Sequence, residues 1–103
     1  MKVIKLPNKF LGEGEVKDFL FTRARYGEKA YVYKVASMGE IWYEVIKRHA
    51  TPIVVDFEKK IMSTDTIKER YPKSKDFGIK GWTYKIIEDA LKKFKELENG
   101  TNN

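Results

Sequence analysis

The chain has 103 residues, the size of one domain, and 42% of them are hydrophobic, which is enough for a single modest core. It contains no cysteine, which excludes a disulfide framework, a thiolate zinc site and a cysteine nucleophile. The net charge of +6 favours acidic partners, and because no apolar run is long enough for a membrane span or a signal peptide, the sequence predicts a cytoplasmic protein.

The first half of the chain predicts β-strands, because apolar and polar residues alternate in short segments separated by turns. The segments with strand character are 2–6, 15–25, 30–36, 41–46 and 51–57. The middle three have the length and spacing of an antiparallel meander. The last is β-branched and begins beside Pro52, which favours an edge position in the sheet.

The second half predicts a loop followed by one helix. Residues 58–75 are polar and weakly patterned, with room for a single helical turn at 64–70. A helix is predicted over 84–97, with Thr83 as its N-cap and Asn99-Gly100 as its stop. Its apolar face consists of Ile86, Ile87, Ala90, Leu91, Phe94 and Leu97.

Together these elements predict an α+β fold in which a four- to five-stranded antiparallel sheet packs on one C-terminal amphipathic helix. Residues 1–98 are expected to form a single domain, and residues 99–103 a flexible tail. The sheet face away from the helix would carry aromatic side chains, either Trp42 or the set Tyr31, Tyr33 and Tyr43.

Basic residues are interleaved with aromatic residues along the predicted strands. On an exposed sheet face this pattern is typical of surfaces on which bases stack and phosphates are neutralised. The alternative is that the aromatic residues form the core beneath the helix and the basic residues are solvated strand ends. The candidate binding residues are Arg23, Arg25, Tyr31, Tyr33, Lys34, Tyr43, Lys47 and Arg48.

A second candidate site follows the last predicted strand. If the strand continues, Asp56, Glu58 and Lys60 point the same way, as in a site that binds a divalent metal ion and polarises a phosphate. Glu58-Lys59-Lys60 resembles the E-x-K half of the PD-(D/E)xK nuclease signature, but the chain has no Pro-Asp pair upstream. A strand running into a charged turn explains the same residues. His49, the only histidine, falls in a predicted turn, so we expect no catalytic residue, no metal and no cofactor.

Several short motifs, spread over most of the chain, resemble small uncharacterised accessory proteins of phages and mobile elements in gut bacteria. They are Gly14-Glu15-Val16-Lys17 with Phe19 and Phe21, Tyr71-Pro72, Asp76-Phe77-Gly78, Trp82-Thr83-Tyr84 and Glu88-Asp89-Ala90. The resemblance implies a compact regulator or inhibitor that binds a host machine, and it brings no catalytic residues.

The sequence is therefore compatible with three functions. The first is a non-enzymatic interaction module that binds a protein or nucleoprotein partner and no membrane. The second is a protein that binds nucleic acid directly through an aromatic and basic sheet face. A metal-dependent nuclease is a distant third. The sequence specifies neither the identity of the partner nor the oligomeric state.

Overall fold

The computed structural model describes residues 1–100, and the described chain forms two compact units. The sheet-and-helix unit contains Pro7–Lys47 and the described residues from Pro72 onward, and the three-stranded unit contains Met1–Leu6 and Arg48–Tyr71. Residues 1–98, which the sequence predicts as one domain, include both units. The predicted flexible tail at 99–103 lies outside the described residues from 101 onward.

The chain forms eight strands and one α-helix within the described residues. They are β1 (Lys2–Ile4), β2 (Lys9–Leu11), β3 (Leu20–Tyr26), β4 (Ala30–Ser37), β5 (Glu40–Lys47), β6 (Ala50–Asp56), β7 (Ile61–Glu69), β8 (Gly81–Tyr84) and α1 (Ile87–Glu98). The sheet-and-helix unit holds a five-stranded antiparallel sheet in the order β2-β3-β4-β5-β8, with α1 packed against it. The predicted α+β fold, with an antiparallel sheet on one C-terminal helix, is confirmed.

The three-stranded unit is a mixed sheet in the order β1-β7-β6, which the sequence does not predict as a separate sheet. β7 is its central strand, parallel to β1 and antiparallel to β6. The predicted loop at 58–75 and the helical turn at 64–70 are therefore wrong for residues 61–69. Polar side chains mark this segment as a loop, but its backbone pairs with a strand on each side, and the pairing decides its structure.

The predicted C-terminal helix is present but begins later than expected. Thr83 is not its N-cap, because it lies in β8 and pairs with Glu44 of β5. The helix starts at Ile87, without a side-chain cap. Acidic residues in its first turn interact favourably with the positive end of the helix dipole. α1 buries Ala90 and Leu97 in the core. No helix among residues 1–100 is long and apolar enough to span a membrane.

The last residue of α1 ties the helix to the β3–β4 turn. The Glu98 carboxylate accepts hydrogen bonds from the backbone N–H groups of Glu28 at 2.9 Å, Lys29 at 2.8 Å and Ala30 at 2.8 Å. A cluster of backbone donors of this kind favours a negative charge. Gly27 suits this place, because a Cβ there would collide with Glu98 Oε2 and lie 2.8 Å from the Phe94 ring.

We expect Glu98→Ala to lower the free energy of unfolding by about 1.5–3 kcal/mol, because three backbone donors lose a charged acceptor. Urea denaturation measures the loss. The matched control is Glu88→Ala in the exposed first turn of the same helix, which removes only a favourable interaction with the helix dipole, about 0.3–1 kcal/mol. Equal losses in the two variants would contradict the role assigned to Glu98.

Candidate functional site

The five-stranded sheet presents one face to α1, and the helix covers only part of it. The covered part is centred on a row in which Val32 pairs with Val45 and Val45 pairs with Trp82. Val32 and Val45 are fully buried and form the core with Ala90 and Leu97 of the helix. Partly buried side chains complete the packing: Ala24, Tyr43, Trp82, Tyr84, Leu91 and Phe94.

On the same face, away from the helix, an apolar row crosses four strands. Leu11 of β2 pairs with Leu20 of β3, Leu20 pairs with Ala36 of β4, and Ala36 pairs with Ile41 of β5. We call these four residues the open row. Leu11 is 64% exposed and Ile41 is 50% exposed, while Leu20 and Ala36 are half-buried. Single exposed apolar side chains are common on proteins, but a row of apolar side chains on one sheet face is a candidate interaction surface.

Two lysines border the open row. In the adjacent cross-strand row, Lys9 pairs with Thr22, Thr22 with Lys34 and Lys34 with Tyr43. Both lysines are exposed, and neither forms an ion pair with another residue of the described chain. Because they lie two strands apart, their backbones are about 10 Å from each other. The surface therefore combines an apolar row with two unneutralised ammonium groups.

The same row ends at Tyr84 of β8, which pairs with Tyr43. Burial raises the pKa of the Tyr84 phenol, and the negative charges of Glu96 and Asp89 on α1 raise that pKa further. Acidic groups of α1 therefore lie close to this end of the row.

The raised pKa of Tyr84 predicts a pH dependence of stability. A phenol whose pKa is higher in the folded state contributes stability below its unfolded pKa of 10.0, and that contribution is lost as the pH rises through the folded pKa. We therefore expect the free energy of unfolding, measured with urea, to fall less steeply above pH 10 in Tyr84→Phe than in the wild type. Glu96→Gln should lie between the two. Identical pH profiles for Tyr84→Phe and the wild type would contradict the shift.

The β4–β5 turn lies next to the open row and carries an exposed methionine. Met38 and Gly39 form the two-residue turn, with φ angles of 49° and 82° in the left-handed region. This geometry matches the twist of the two strands, but it is unfavourable for a methionine. Met38 is 99% exposed, so the turn that joins β4 to β5 presents a large apolar side chain to solvent.

The opposite face of the sheet does not provide the predicted stacking surface. Tyr31 and Tyr33 are fully buried. The Tyr33 hydroxyl donates a hydrogen bond to the Pro7 carbonyl at 2.7 Å, and the Arg23 guanidinium lies 5.1 Å from the Tyr31 ring centre. The assignment of Tyr31 and Tyr33 as exposed binding residues is wrong, because both rings are packed inside the protein. The predicted grouping of Tyr43 with them is also wrong, because its register with Lys34 places it on the helix side.

The remaining predicted residues are dispersed. Arg25 is exposed and donates to the carbonyl of Ala24 next to it. Lys47 lies over the Trp82 ring, with its ammonium 5.8 Å from the ring centre. Arg48 belongs to the three-stranded unit, where it forms an ion pair at 2.7 Å with Glu69, a carboxylate that is only 4% exposed. Of the eight predicted residues, the structure places Lys34 and Tyr43 side by side beside the open row.

The acidic candidate site is not built on one strand. β6 ends at Asp56, whose carboxylate accepts the Lys59 backbone N–H at 3.1 Å, and residues 57–60 form the turn into β7. The predicted alternation of Asp56, Glu58 and Lys60 on a strand face is therefore wrong. Within residues 1–100, no group of three or more histidine, aspartate or glutamate side chains is placed to hold a metal ion.

The sequence patterns do not indicate the open row. Leu11 belongs to β2, a strand of only three residues outside the predicted segments, and its partner Leu20 lies within the predicted segment 15–25, in which neither face is assigned to the surface. The alternation Lys9-Phe10-Leu11 is the signal that indicates this strand. No family model, curated protein or solved structure matches the chain.

Proposed function

We propose that the protein is a non-enzymatic interaction module that acts in the cytoplasm and binds a protein, alone or within a nucleoprotein complex, through the open row. One observation carries the proposal: an apolar row on four paired strands, exposed at Leu11 and Ile41 and half-buried between them, lies beside a helix that covers another part of the same face. An apolar sheet face is ordinarily buried against another layer of structure. A partner that supplies this missing layer completes the packing.

The scaffold beneath the open row supports this role. Its side chains are held by a hydrogen-bonded antiparallel sheet with a fully buried core, so binding orders little backbone. Lys9 and Lys34 add charge at the border, where it steers association and selects acidic partners. The resemblance to accessory proteins of mobile elements agrees with a small regulator or inhibitor of a host machine.

Direct binding of nucleic acid is the weaker proposal. Stacking of bases requires accessible aromatic faces. Of the three candidate tyrosines, Tyr31 and Tyr33 are fully buried, and Tyr43 is partly buried against the core beneath α1. Binding of nucleic acid is therefore treated as an alternative outcome of the test below.

Site-specific photo-cross-linking tests the proposal. A benzophenone amino acid replaces Ile41 in the open row, or Ile79 as a matched control, since Ile79 is a 67% exposed isoleucine in the same unit but outside the row. In cells that produce these variants, we expect the residue at position 41 to cross-link to a single protein and the residue at position 79 to cross-link to none. Leu11→Lys in the same chain should abolish the adduct. Equal cross-linking from both positions, or an adduct with nucleic acid at position 41, would contradict the proposal.

A further inference from the structure

The chemistry of the open row and its border also indicates what kind of segment binds there. We infer that the docking segment of the partner is an amphipathic α-helix with acidic residues along one edge, and that it lies beside α1 on the same sheet face. This inference rests on the proposed function and adds the secondary structure and charge of the occupant.

The dimensions of the face leave room for a second helix. Ala36 lies four residues from Val32 along β4, which separates the open row from the row beneath α1 by about 13 Å. Packed helices lie about 8–10 Å apart, and a helix is about 10 Å wide. A helix over the open row would thus pack on the sheet without colliding with α1.

The length of the open row suits a helix that crosses the strands. Four neighbouring strands span about 14 Å, close to three helical turns. Apolar side chains at i, i+4 and i+7 on the partner would contact the row along this length. Ala36 lies between Leu20 and Ile41 and has a small side chain, so a large partner side chain can pack over it.

An extended peptide suits this surface less well. Added strands pair with the free edge of a sheet, whereas the open row lies on a face. The two edge strands of this sheet, β2 and β8, are short, with 3 and 4 residues. Short edge strands limit pairing with another chain.

The charge of the partner follows from Lys9 and Lys34. Both ammonium groups are exposed and without an ion pair in the described chain, so a carboxylate on the adjacent edge of the docked helix would be attracted. A nucleic-acid backbone would also satisfy the two lysines, but it would leave Leu11 and Ile41 uncovered. An acidic amphipathic helix satisfies the lysines and buries the apolar row together.

Two synthetic peptides test the inference. Each is a fluorescein-labelled helix of about 14 residues, which spans the row with a turn to spare. Both carry the same leucines at helical spacing, and the flanking positions hold glutamate in one and lysine in the other. Fluorescence anisotropy measures the affinities of the two peptides for the full chain. The measurement is made at low salt, because surface charges are then only weakly screened.

We expect the glutamate peptide to bind at least about tenfold more tightly than the lysine peptide. The double variant Lys9→Glu/Lys34→Glu should reverse that preference. The control Lys92→Glu/Lys95→Glu changes two exposed lysines of α1 by the same amount of charge and should leave the preference intact. Ile41→Lys should weaken the binding of both peptides.

Equal affinities, no binding of either peptide, or a preference that survives the charge reversal at Lys9 and Lys34 would overturn the inference. These failures are distinguishable from failure of the proposed function. If the peptides fail while position 41 still cross-links a discrete protein, the partner docks with another structure. If position 41 cross-links no protein, the proposed function itself fails.

Discussion

Leu97→Ala is expected to lower the free energy of unfolding by about 2–5 kcal/mol, a large fraction of the stability of a small domain. Leu97 is only 4% exposed and packs in the cluster that joins α1 to the sheet. Truncation removes its buried methyl groups and leaves a cavity between helix and strands. Urea denaturation measures this loss, and an unchanged m-value shows that the substitution changed the stability and not the surface exposed on unfolding.

The control for this substitution is Ile86→Ala, immediately before the helix, where the isoleucine is 56% exposed. Here we expect a loss of less than about 1 kcal/mol, because little apolar surface returns to water. A loss below 1 kcal/mol for Leu97→Ala as well would mean that the end of α1 does not form part of the core.

Ile41→Lys is expected to weaken binding to the cross-linked partner by about tenfold or more. The substitution removes a large apolar contact from the open row and places a charge in the interface, and each 1.4 kcal/mol corresponds to about a factor of ten in the dissociation constant. Because Ile41 is 50% exposed, the free energy of unfolding should change by less than about 0.5 kcal/mol.

Ile79→Lys is the matched control for binding. It makes the same change at an exposed isoleucine of the same unit, and the dissociation constant should stay within about twofold of the wild-type value. Titration calorimetry with the purified partner measures both variants. Equal weakening by the two substitutions would indicate a general effect of added charge and would remove the open row from the interface.

Local patterns in the sequence predict three of the five strands of the main sheet and the helix. The three alternating segments correspond to β3, which begins only at Leu20, β4 and β5, and the helical spacing of Ala90, Leu91, Phe94 and Leu97 identifies the face that packs on them. The sequence predicts the helix start too early, because Thr83 is a good N-cap in isolation but pairs with Glu44 in the fold. Tertiary pairing overrides a local capping preference.

The three-stranded sheet is less predictable because its central strand is polar. β7 carries the sequence Ile61-Met62-Ser63-Thr64-Asp65-Thr66-Ile67-Lys68-Glu69, in which no clean alternation is visible. Its parallel pairing with β1 joins residues more than 60 positions apart, since Val3 pairs with Ile67. Contacts of this range leave no signal in a local window of sequence.

The candidate site depends on register, which the sequence specifies only weakly. The assignment of Tyr31, Tyr33 and Tyr43 to one face failed because β4 and β5 are joined by a turn that pairs Lys34 with Tyr43 and Tyr33 with Glu44. A shift of one residue exchanges the two faces of a strand. The same register brings Ala36 beside Ile41, and so creates the open row.

Methyl NMR of isoleucine-labelled protein tests the docking surface most directly. The purified partner is added to the labelled chain, and the signals of Ile41 and Ile79 are compared, because both side chains are exposed in the same unit and only Ile41 belongs to the open row. We expect the Ile41 methyl signal to shift or broaden with partner concentration, while the Ile79 signal stays unchanged. A perturbed Ile79 with an unperturbed Ile41 would place the interface elsewhere and contradict the account.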